Sequence, residues 1–294
     1  MSTTIVYPSA AEYWLSHPLK SSVNEFSKPL HVMVPDLDSR RYLKGFSYHL
    51  QPKNLPESSF IKLNPLLSIC SPELCYLQAA LSIKSLPKLV CFANDLCAIY
   101  VKDNSIQYQQ RQRESITSTA EIRHYLESVT GVHGIKQARK AIRYSVDRSN
   151  SPMESKLAVL CRLPFRLGGY SLPEPKMNYE ITLSADASRH LLRESIKCDM
   201  VWPERKVALE YESNLTHLSV AQHGYDKSRA TALQLSGYRV VYVTSQDLKN
   251  FQTVEKVFQM LRNTLGLRRN KDVLAKNIDV RRQAVSELLF QGTF

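Results

Sequence analysis

Three carboxylates stand on two short apolar runs separated by a proline turn. Asp199 sits in Cys198-Asp199-Met200-Val201-Trp202, ahead of Pro203, and Glu210 and Glu212 follow Val207-Ala208-Leu209. Apolar runs of this length, punctuated by proline and asparagine, read as neighbouring strands of a buried or half-buried sheet. A carboxylate is costly to desolvate on such a strand, so it needs a cation, hydrogen bonds or a metal. Asp199, Glu210 and the backbone carbonyl of Tyr211 offer an oxygen-only cradle of the kind Mg²⁺ or Mn²⁺ prefers. A divalent ion held there activates water and neutralises charge on a phosphodiester, so the expected chemistry is metal-dependent cleavage of nucleic acid. Glu210 and Glu212 share a strand face at period two, and two like charges so close also call for a cation. The plainer alternative makes Glu212 a solvent-facing edge residue.

Other residues fit the same chemistry, each with a plainer alternative. Glu154 follows the helix start Ser151-Pro152; it either reaches the metal or its water, or simply favours the positive end of the helix. His217 is placed to orient water or protonate a leaving oxygen, or is a surface histidine ahead of a helix. Asp226 and Arg229, three apart, form an intrahelical ion pair, or Arg229 touches phosphate. Lys136, Arg139, Lys140 and Arg143 run opposite Ile135, Ala138, Ile142 and Val146. That stripe is a solvated face of an amphipathic helix or a phosphate-binding face.

The order aspartate, turn, apolar strand, Glu-x-(Lys/Glu/Asp) resembles the core of the PD-(D/E)xK nucleases, and more narrowly the very-short-patch-repair endonuclease branch. The resemblance extends to Ser151-Pro152-Met153-Glu154 upstream, to His217, to the helix with Asp226 and Arg229, and to the Gly237–Val241 strand. It implies a restriction-endonuclease-like mixed sheet flanked by helices. It also implies a Mg²⁺- or Mn²⁺-dependent DNA endonuclease or nickase with Glu154, Asp199, Glu210, Glu212 and His217 at the site. Glu212 stands where the superfamily commonly has lysine, and Lys206 lies at the other end of the same strand. The front half loosely resembles AbiEi-type antitoxins of abortive-infection systems, in His31-Val32-Met33-Val34-Pro35, Arg40-Arg41 and Ser71-Pro72-Glu73. With the missing lysine, this second resemblance implies an alternative: a non-catalytic nucleic-acid-binding regulator on a decayed nuclease fold, with a toxin–antitoxin or defence partner.

The elements that must position these groups divide the chain into four parts. Residues 1–117 read as an α+β domain: a helix within 9–27, strands at Leu30–Val34, Phe46–Gln51 and Phe60–Leu63, and a helix capped by Ser71. Residues 118–148 read as a helical connector carrying the basic stripe. Residues 149–267 read as the endonuclease-like α/β domain in the order α-β-β-β-α-β-α, and 268–294 as a basic tail, helical or partly disordered.

With 294 residues, 43% of them apolar, the chain can bury a sizeable core. A net charge of +12 favours a polyanionic partner, most commonly nucleic acid. Six cysteines without Cys-x-x-Cys spacing read as free buried thiols of a reducing compartment rather than zinc ligands. The absence of an apolar run of membrane-spanning length gives the expectation of a cytoplasmic protein with no membrane partner.

Overall fold

The computed structural model describes residues 3–16, 26–41, 43–101, 112–213, 220–267 and 277–291, with the side chains of 220–224 excepted. The chain is mixed α/β and divides into two compact units, residues 1–152 and 153–294. Among the described residues, nine strands form two mixed sheets.

The first unit holds a five-stranded sheet in the order β3-β2-β1-β5-β4. Its strands are β1 (Thr3–Ile5), β2 (Leu30–Val34), β3 (Phe46–Leu50), β4 (Phe60–Asn64) and β5 (Leu67–Cys70). Sequence patterning points to β2, β3 and β4, but misses β1 and β5. The three-residue β1 is central because it pairs antiparallel with β2 and parallel with β5, which no local pattern encodes. Among the described residues, five α-helices belong to this unit: α1 (Ser9–Leu15), α2 (Pro72–Ser82), α3 (Leu86–Leu96), α4 (Thr119–Ser128) and α5 (Ile135–Ala141). Helix α2 starts as Ser71 dictates, its hydroxyl accepting the Leu74 N–H at 3.2 Å while Pro72 fills a position that needs no donor. The segment 118–148, expected as a connector, is instead part of this unit. Ile122 and Leu126 of α4 and Ala138 of α5 are buried, Tyr125 bonds Ser59 at 2.8 Å, and Tyr76 donates to the Ala138 carbonyl.

The second unit opens within α6 (Pro152–Arg162) and continues through β6 (Lys176–Thr182), α7 (Ala185–Leu191), β7 (Ser195–Trp202), β8 (Val207–Glu212), α8 (Val220–Leu235), β9 (Arg239–Thr244), α9 (Phe251–Thr264) and α10 (Asn277–Phe290). Its sheet runs β6-β7-β8-β9, antiparallel up to β8 and parallel between β8 and β9, with α8 as the crossover. Ile181, Ile196, Val201 and Ala208 of the strands meet Ala232 and Leu233 of α8 in one core. Helix α7 between β6 and β7 was not anticipated. It is short and capped by Ser184, whose Oγ accepts the Ala187 N–H.

The end of the chain takes the helical form of the expected tail and is packed rather than free. Helix α10 carries Arg282, 1% exposed, which pairs with Glu255 of α9 at 3.2 Å and lies over the rings of Phe165 and Tyr170. Gly168, at φ +86°, closes the turn beneath it: a Cβ there would meet Val285 Cγ2 at 2.6 Å and the Arg281 carbonyl oxygen at 2.7 Å. Gly168→Ala is therefore expected to lift α10 and cost about 2–4 kcal/mol, from left-handed strain plus overpacking against backbone. Urea unfolding measures this; an unchanged midpoint would show that α10 docks independently of the turn.

Candidate active site

The candidate chemistry gathers where β7 and β8 part. Their ladder runs Trp202↔Val207, Val201↔Ala208 and Met200↔Leu209. Asp199 and Glu210 are the next residues on each strand. The N–H of Tyr211, past the end of the ladder, goes to Asp199 Oδ2 at 2.8 Å, so a side chain replaces the missing strand partner. On its other edge β8 keeps pairing with β9, from Glu210↔Tyr242 to Glu212↔Thr244, and this holds Glu210 in place.

Glu210 is 8% exposed and its Oε1 accepts from Arg229 Nη2 at 2.6 Å. The same guanidinium nitrogen donates to the Lys197 carbonyl at 2.7 Å, tying α8 to β7. Arg229 is thus engaged with Glu210 and backbone. Glu154, in the first turn of α6, is 5% exposed, and its Oε2 accepts from Asn178 Nδ2 at 2.7 Å. Asn178 lies on β6 between the pairs Met177↔Met200 and Tyr179↔Cys198, which sets it opposite Asp199. Its φ of +46° is a left-handed conformation that asparagine tolerates better than most side chains.

Among the described residues, Glu210, Glu154 and Arg229 all act on the Asp199 carboxyl. Burial pushes that carboxyl up to about 8, reinforced by Glu210 and then Glu154; the Tyr211 N–H and Arg229 pull only partly the other way. The third carboxylate acting on Asp199 is Glu154, not Glu212. Glu212 is exposed at the end of β8, where its carbonyl accepts the Ser245 N–H. Tyr242, in register with Glu210, has its hydroxyl raised by burial and by Glu210 and Glu212. Lys206 sits at the start of β8, its Nζ 3.5 Å from the Ser236 carbonyl rather than beside the carboxylates. His217 lies outside the described residues. Asn178 and the Arg229–Glu210 pairing had no local signal beyond residue type.

Among the described residues no group of three or more His, Cys, Asp and Glu side chains stands together as a metal cage. The donor set nonetheless fits Mg²⁺ or Mn²⁺. Magnesium keeps several waters and is commonly bound through one or two carboxylates, and Asp199 and Glu210 with the adjacent Tyr211 backbone supply hard oxygen donors close to Glu154. The six cysteines are free, buried thiols; burial and Glu210 hold the Cys198 thiol well above its ordinary range, so it stays protonated.

The basic helix α5 is less uniform than its sequence. Lys136, Arg139, Lys140 and Arg143 are exposed, over buried Ala138 and Ala141. Arg139, however, spends its guanidinium on the carbonyls of Leu126, at 2.6 and 3.1 Å, and Val129, at 3.0 Å. It closes the end of α4, where unpaired carbonyls attract a cation. No helix among the described residues is long and apolar enough to cross a membrane.

Over 130 residues, 44% of its length, the chain is 28% identical to uncharacterized proteins from two strains of Mycobacterium tuberculosis. The match spans 43% of each of those relatives, under half their length. No protein-family model and no solved structure matches the chain.

Proposed function

We propose that the second unit is a Mg²⁺- or Mn²⁺-dependent endonuclease that nicks DNA. The observation that carries this reading is the convergence of Asp199, Glu210 and Glu154 at the parting of β7 and β8, where burial and then the two neighbouring carboxylates raise the Asp199 carboxyl. Asp199, Glu210 and the Tyr211 carbonyl would hold the ion, which when bound supplies an activated water and neutralises phosphoryl charge. Arg229 fixes the rotamer of Glu210, and the Tyr211 N–H fixes that of Asp199. Glu154, oriented by Asn178, accepts a proton from the attacking water. Lys136 and Lys140 on α5 and Arg143 just after it, all exposed in the first unit, attract the phosphate backbone by charge. The α-β-β-β-α-β order, with α7 as an insertion, agrees with the restriction-endonuclease-like core that the motif implies.

A second reading, a non-catalytic nucleic-acid-binding regulator, is favoured by Glu212 in the usual lysine position and by the guanidinium already seated on Glu210. Supercoiled plasmid separates the two. With Mg²⁺ or Mn²⁺, wild type is expected to give the nicked form and none in EDTA. Glu154→Gln, which keeps the side chain's shape and its bond to Asn178, should lower the rate about 10²-fold or more if Glu154 moves the proton. Plasmid left supercoiled at every metal concentration would decide for the regulator.

A further inference from the structure

The first unit carries a second feature that the carboxylate site does not use. A cleft of about 710 Å³ opens over β2 and β3, bounded by the loop that joins them. It falls within the size range of small-ligand sites. Phe46 and Tyr48 line it, their rings stacked at 6.2 Å and 26°, and both residues remain half-exposed. Arg41 also lines it, exposed, with Ser39 and Gln51 as further polar groups. Around it lie Lys28, whose Nζ sits 5.4 Å from the Phe46 ring centroid, and exposed Lys44. Among the described residues Arg40, Arg41 and Lys44 form no ion pair with a carboxylate, and the buried Arg40 Nε has no hydrogen-bond partner. Of the two acids in the loop, Asp36 is turned back onto the Ser39 N–H at 2.8 Å.

Aromatic rings beside uncompensated cations suit a ligand with flat apolar faces and a negative backbone. We propose that this cleft binds single-stranded nucleic acid, its bases stacked on Phe46 and Tyr48 and its phosphates on Arg41 and Lys44. Stacking of this kind needs unpaired bases, because a duplex hides their faces; the aromatic rings therefore select the single strand, while the cations supply most of the affinity. The proposal stands apart from the metal-site reading, since it needs neither Asp199 nor Glu210.

The test is fluorescence anisotropy with a labelled oligothymidylate of about 15 nucleotides, in EDTA so that no cleavage intervenes. The single strand is expected to bind more tightly than a duplex of equal length, with affinity falling as salt rises. Tyr48→Leu and Arg41→Glu should each weaken it about tenfold. Arg41 is exposed, so Arg41→Glu remains informative if Tyr48→Leu fails to fold. Wild-type affinity in the folded variants would overturn the proposal. So would a duplex bound equally well through the same residues, or thymidine monophosphate displacing the strand at near-stoichiometric concentration, which would make the cleft a site for free nucleotides.

Discussion

Asp199→Asn is expected to lose cleavage by a factor of about 10³ or more and, in metal-free buffer, to become more stable than wild type at pH 8. The two effects share one cause. In the folded protein burial, Glu210 and Glu154 raise the Asp199 carboxyl from 3.8 to about 8. Below pH 4 the group is protonated whether folded or not and costs nothing. Between pH 4 and 8 the unfolded chain releases the proton while the folded chain keeps it, so stability contributed by the protonated form is lost progressively as pH rises. Above pH 8 the folded site bears the full charge repulsion. Asparagine mimics the neutral acid and still accepts the Tyr211 N–H, so the variant escapes that loss. A shift of one unit is worth about 1.4 kcal/mol, and relaxation of the site reduces the total, giving an expected gain of about 2–3 kcal/mol at pH 8. For a chain of this size the Tm should rise by roughly 5–10 °C. Adding Mg²⁺ or Mn²⁺ should narrow the gap, because metal stabilises the wild type by mass action and the neutral amide of the variant is a poorer ligand than the Asp199 carboxylate. Thermal melts from pH 5 to 9 measure all of this. Parallel Tm profiles for the two proteins would remove Asp199 as the group that carries the charge strain.

Arg229→Ala is expected to cost about 3–5 kcal/mol, because it strands Glu210, 8% exposed, without its cation. The same change leaves the Lys197 carbonyl without the donor that ties β7 to α8. Glu210→Gln in the Arg229→Ala background should recover much of the loss, since a neutral amide tolerates the site better than an unpaired carboxylate. Mn²⁺ should also stabilise Arg229→Ala more than wild type, the ion taking over the charge role of the guanidinium. Urea denaturation of the two single variants and the double variant gives the coupling energy directly. A coupling below about 0.5 kcal/mol would show that the ion pair is incidental to stability.

The residue pattern by itself determined where most of the secondary structure lies. Ser71-Pro72 starts a helix because the hydroxyl caps a free N–H and proline needs none. The apolar runs around Asp199 and Glu210 become β7 and β8 because short runs bounded by turn residues bury best as strands. It also determined which residue types were available for chemistry: Asp199, Glu210 and Glu154 were legible as carboxylates in apolar or helix-start settings.

Which carboxylates meet was decided only in three dimensions. Period two puts Glu212 on the face of Glu210, yet the ladder with β7 stops at Leu209, and Glu212 ends exposed at the strand terminus. Glu154, far upstream of Asp199 in the chain, takes the third place, its carboxylate held by Asn178 of β6. In one dimension Arg139 reads as a surface cation and Arg229 as the partner of Asp226 or of phosphate, but folding brings them to the end of α4 and to Glu210. Local periodicity reports burial, which depends on neighbours three or four residues away. Charge pairing depends on contacts between residues far apart in the chain, and only the packing of helices against the sheet sets them.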